Sequence, residues 1–105
     1  MIKQLRNGIK QLVADELERA RKEHGEKFHS DHEAYAVTME EVQEALEEIA
    51  VAHNLLDDIW EMCIRKDDYV STSMLELLDL HAINGAAELI QVAAMARKWM
   101  VSNDK

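Results

Sequence analysis

The chain has 105 residues and a mass of 12.1 kDa, which is one domain at most, spanning 1–105. Proline is absent, glycine occurs three times and aromatic residues make up 5 %; strands and their turns draw on those residue types, so a sheet fold is excluded and an all-α one expected. With 48 % hydrophobic and 31 % charged residues at a net charge of −9, the chain can form a core, is not disordered, and repels phosphate backbones, so nucleic acid is not an expected partner.

The first helix is expected from about Ile2 to His24, because Ile2, Leu5, Ile9, Leu12, Val13, Leu17 and Ala20 recur at helical spacing. Gly8 weakens it, and Gly25 places a loop over His24–His29. The opening string MIKQLRNGIKQ has no apolar run of the kind a secretory signal needs, which fits a cytoplasmic protein.

Ser30 opens the second helix. With Glu33 it has the spacing of a capping box, and Thr38 with Glu41 repeats it, which leaves room for a break or kink near Thr38. The helix is expected to reach about Lys66, with Asp67 and Asp68 in the following loop. Val42, Leu46, Ile49, His53, Leu56, Trp60 and Cys63 alternate steps of four and three, the seam used between antiparallel helices. On that seam His53 reads as a core histidine and Trp60 as a core tryptophan, as does Trp99 in the third helix. Cys63, the single cysteine, reads as a small core residue; no intrachain disulfide or thiolate-pair zinc site is possible.

The third helix is expected from about Ser73, with Ser73 and Glu76 as a capping box, to about Val101. The result is a long antiparallel hairpin plus an N-terminal helix. From Ala82 to Ala96 the third helix is apolar nearly all round, so it should be surrounded. Three helices hardly surround one of themselves, so a homodimer or homotetramer is expected to complete the bundle. The same stretch is too short and too interrupted to span a membrane, which takes roughly 20 apolar residues.

Charge is concentrated. Residues 31–68 carry twelve acidic and two basic groups, against five and seven in 1–30 and four and three in 69–105. Within the second helix Glu41, Glu44 and Glu48 lie on one face and interleave with a second heptad row: Glu41, Ala45, Glu48, Ala52, Leu55, Ile59, Met62. Like charges at that spacing repel, and a divalent cation such as Mg2+, which takes hard oxygen ligands, offsets the repulsion. A solvated Glu-rich face is the bland alternative. In the third helix His81, Asn84, Glu88 and Gln91 form a polar stripe through apolar surroundings, either a hydrogen-bonded seam or part of a metal site. The Glu-x-x-His pair Glu26 and His29, and the scattered His24, His29 and His32, read as surface groups.

These residues resemble the all-α nucleoside triphosphate pyrophosphohydrolases of the MazG-like superfamily. That family places Glu-Glu-x-x-Glu on one helix and Glu-x-x-Asp on the next. Glu40-Glu41-Val-Gln-Glu44 matches the first half and Glu88-Leu-Ile-Gln91 stands in place of the second. The strings HSDHEAYAVTMEEVQEALEEI and AAELIQVAAMARKW look like a small branch found in phages and prophages, and the likeness spans roughly His29 to Trp99. The resemblance implies a Mg2+-dependent enzyme that cleaves a nucleoside triphosphate to monophosphate and pyrophosphate. Glu41, Glu44 and Glu88 would be its metal ligands, Glu48 a further ligand or the catalytic base, and Glu40, Asn84 and Gln91 second-layer or substrate contacts. Gln91 departs from the family aspartate and contributes no charge. The hairpin is also longer than the family's, by about Asn54 to Asp79. A non-catalytic helical oligomer, acting in interaction or in nucleotide sensing, is the competing reading.

Overall fold

A computed structural model describes residues 2–103. Among them the chain is all-α: helix α1 spans Ile2–His24, α2 spans Asp31–Met62 and α3 spans Thr72–Asn103, with a single 3-10 turn at Ile64–Lys66. Among the described residues no helix is long and apolar enough to cross a membrane.

The element ends have local causes. Gly25 at φ +88° ends α1, its N–H bonding Arg21 O at 2.9 Å, because only glycine takes the left-handed region without cost. Ser30 caps α2 as expected: its Oγ accepts the Glu33 N–H at 3.1 Å. The reciprocal half of the box is displaced by one residue, since Glu33 Oε1 accepts from His29 N–H at 3.2 Å and not from Ser30. No break falls at Thr38, and α2 runs as one helix through it. Its end comes at Met62, four residues before the expected one, where the chain tightens into the 3-10 turn and Asp67 closes it at φ 54°. The cap of α3 is Ser71 and not Ser73. Ser71 Oγ accepts the Met74 N–H at 3.3 Å, so Ser73 already lies inside the helix.

Contacts divide the chain into two compact units, one of the residues up to Val42 with those from Glu88 onward, the other Gln43–Ala87. In the first, α1 lays Val13 and Leu17 on Ala94 of α3, with Ile90, Ala93 and Met95 around them. The loop after α1 is fastened to the last turns of α3. Phe28 N–H donates to Ser102 Oγ at 2.8 Å, Ser102 Oγ–H donates to Lys98 O at 2.8 Å, and the Lys98 ammonium sits 4.5 Å from the centre of the Phe28 ring. Trp99 Nε1–H donates to Asp31 Oδ1 at 2.9 Å, tying α3 to the first residue of α2.

In the second unit α2 and α3 form a hairpin, and the row that packs is the alanine-lined one. Ala45 and Ile59 of that row are buried, with Ala52 and Leu55 half-buried; only at the end of α2 does the packing pass to the other row, where Cys63 is buried and Met62 exposed. Small residues allow close approach: a Cβ at Gly85 would lie 3.5 Å from Glu48 Cβ. The row one residue on, expected to be the seam, is mostly exposed. Leu46, Ile49 and Leu56 face solvent, Trp60 is 55 % exposed, and the His53 side chain is 73 % exposed with its Nδ1 3.4 Å from Asp57. His53 and Trp60 are therefore not core residues of the single chain, whereas Cys63 is. The Ala82–Ala96 stretch is likewise not surrounded, with Ile83 and Leu89 exposed.

Candidate metal centre

Glu41 and Glu44 lie one turn apart on α2, so both carboxylates leave the same side of the helix. Glu88 comes from α3. One carboxylate oxygen from each of the three lies within 4.8 Å of the others, and all three residues are half-buried. Glu41 Oε2 and Glu88 Oε2 are fully buried atoms. Opposite ligands in an octahedral magnesium shell stand about 4.2 Å apart, twice a metal–oxygen distance of about 2.1 Å. Three hard oxygen donors within 4.8 Å of one another come close to that separation, a donor set of the kind a small divalent cation takes, with the remaining positions left for water or phosphate. The alanines explain why the carboxylates are half-buried: small neighbours bring the helix backbones close, and long acidic side chains then project along the cleft.

Glu48 is placed differently from the other three. Its Oε2 is 2.6 Å from His81 Nδ1, and the two side chains are about a quarter exposed, 26 % and 24 %. The pair holds the Glu48 carboxylate in one orientation, and it is the Glu48 Cβ that faces Gly85. The sequence places His81 on the polar stripe without pairing it to Glu48. Both stand on the inward row of their helices, but the residues alone leave the register between the rows open. Asn84 and Gln91 are half-buried on the same stripe as His81 and Glu88, whereas Glu40 is exposed.

The other clusters are looser. Glu26, His24, His29 and His32 are exposed and form no metal-ligand group with one another among the described residues. Asp31, His32, Tyr35 and Trp99 line a shallow cleft of about 320 Å³. Compared with protein-family models, with curated proteins and with solved structures, the chain matches none of them.

Proposed function

We propose that the protein is a Mg2+-dependent nucleoside triphosphate pyrophosphohydrolase of the MazG-like kind. The observation that carries this reading is the meeting of Glu41, Glu44 and Glu88, two residues from one half of the acidic motif and one from the other, within 4.8 Å. These three carboxylates would hold the metal, which when bound supplies Lewis-acid stabilisation of charge on the phosphates. Glu48 acts as general base on the attacking water, taking its proton as the oxygen bonds to the α-phosphorus and the bond to the pyrophosphate leaving group breaks. His81 orients that base through Oε2 and leaves the other carboxylate oxygen for the water. Asn84 and Gln91 offer amide groups to substrate from the same stripe. The exposed Glu40 stands at the rim.

Pyrophosphate release, measured with Mg2+ across ordinary and modified nucleoside triphosphates, tests the proposal. Turnover that needs Mg2+ and is lost in Glu41→Gln and Glu44→Gln is expected. No hydrolysis of any nucleotide by the wild type, or unchanged rates in both variants, overturns it. Gln91 favours a second reading, nucleotide sensing without turnover, because a neutral amide in the place of the family aspartate adds no charge to hold the metal. Titration calorimetry with Mg2+ and a non-hydrolysable triphosphate separates the two: binding without turnover supports sensing, and no binding leaves a helical interaction module.

A further inference from the structure

We infer that Lys98 makes the protein selective for 6-oxopurines, guanine or hypoxanthine, by donating to the base edge inside a cavity of the first compact unit. This assignment rests on the pyrophosphohydrolase reading of the metal centre. The cavity measures about 380 Å³; Ala20 of α1, Val37 of α2 and Met95 of α3 supply apolar walls, and Phe28, Glu33 and Lys98 line it as well. Few polar groups converging on apolar walls, at this volume, are the pattern of a small-molecule pocket. Lys98 is the unusual member. It is only 4 % exposed, the one buried charged side chain among the described residues. Its ammonium lies 4.5 Å from the centre of the Phe28 ring, and among the described residues no carboxylate pairs with it. A desolvated cation is costly without an opposite charge or acceptors, and the face of one ring offsets only part of that cost. The side left to the ammonium is the cavity, and there it can only donate.

The cavity shares its helix faces with the metal donors. Val37 stands one turn before Glu41 on α2, about 6 Å along the axis, and Met95 two turns after Glu88 on α3, about 10.5 Å. Steps of four and seven keep each pair on one side of its helix. A nucleotide with its phosphates toward Glu41 and Glu88 therefore carries its base toward Lys98.

The chemistry of the bases then decides between them. Guanine and hypoxanthine present two adjacent acceptors, O6 and N7, the pair a lysine reads, and an N1–H donor on the other side of O6. Glu33 Oε1 accepts the His29 N–H at 3.2 Å, which leaves its second oxygen for that donor. Adenine puts an amino group where O6 stands and cytosine puts one at the matching edge, so a donor would face a donor. Thymine and uracil offer one carbonyl with no second acceptor beside it. A buried ammonium is matched best by the 6-oxopurine edge.

Two measurements test this. The first is kcat/KM for pyrophosphate release with Mg2+ from GTP, ITP, ATP and the triphosphate of 2,6-diaminopurine, which keeps N7 but lacks O6. GTP and ITP are expected to exceed the other two about tenfold or more. Lys98→Met keeps the apolar stem and removes the donors; with its fold checked by circular dichroism, it should lose the preference through a fall for GTP and ITP alone, and Lys98→Arg should retain it. The second is chemical-shift titration with GMP, IMP and AMP without Mg2+, which reads the cavity apart from the chemistry. GMP and IMP are expected to bind more tightly than AMP in the wild type and no more tightly in Lys98→Met. That result with no turnover of any triphosphate sinks the catalytic proposal and leaves base selection standing. Turnover with ATP or the diaminopurine nucleotide equal to GTP, or a preference unchanged in Lys98→Met, overturns base selection and leaves the catalytic proposal standing. No turnover and no binding of any monophosphate overturns both. Should Lys98→Met fail to fold, the four triphosphates on the wild type decide alone.

Discussion

The two units of this chain are held by different means. The unit that contains α1 has a third helix to fill its core, and Val13, Leu17, Ala20, Phe28, Ala34 and Ala94 are buried there. The hairpin unit has two helices only and buries Ala45, Ile59 and Cys63. Two helices share one contact row, so every other apolar side chain of the hairpin faces outward. Close approach between small residues, together with the Glu48–His81 pair, substitutes for bulk in the hairpin. Its polar pairs are thus part of the packing as well as part of the candidate chemistry.

That contrast can be broken by mutation. The largest loss is expected from Leu17→Ala, which leaves a cavity against Ala94 and Val13 and should cost about 2–5 kcal/mol in denaturant unfolding. Ile59→Ala in the hairpin should fall at the lower end of that range, about 2 kcal/mol, because a two-helix contact collapses more readily around a gap. Hydrogen exchange should locate the loss of protection in residues 43–87; an even loss along the chain would show that the two units unfold together. Next comes Ser71→Ala, at about 1 kcal/mol, with Ser73→Ala within about 0.5 kcal/mol; the reverse order would put the cap of α3 two residues later.

The smallest effect is electrostatic and belongs to α1. The Arg19 guanidinium, hydrogen-bonded to Glu16, holds the Glu16 carboxyl below its ordinary value. A carboxyl lowered by folding adds stability above its unfolded value, and that stability is lost as pH falls through the folded one. Glu16→Gln should therefore be slightly less stable than wild type at neutral pH and level with it in strong acid, as followed by thermal midpoints.

Much of this was legible in the residues. Apolar spacing put α1 at its observed bounds, and steps of three and four put Glu41 and Glu44 together. What the sequence leaves open is a choice between near-equals. Two heptad rows one residue apart run along α2, one rich in large apolar residues and one in alanine and glutamate. Side-chain size favours the first, but backbone approach at Gly85 and the bond from Glu48 to His81 select the second. The caps at Ser71 and Ser73 are a choice of the same kind, since each serine precedes a run that could start a helix, and hydrogen-bond geometry alone separates them.

The fastening of the loop after α1 sets an order of events in biosynthesis. Phe28 and Asp31 find their partners in Ser102 and Trp99, 74 and 68 residues downstream. A nascent chain emerges from its N-terminus, so the loop is translated long before anything exists to hold it. Contacts of such long separation also slow folding. The α1–α2 corner therefore waits for the last turns of α3 to leave the ribosome, and a chain stalled before residue 99 presents that corner untied.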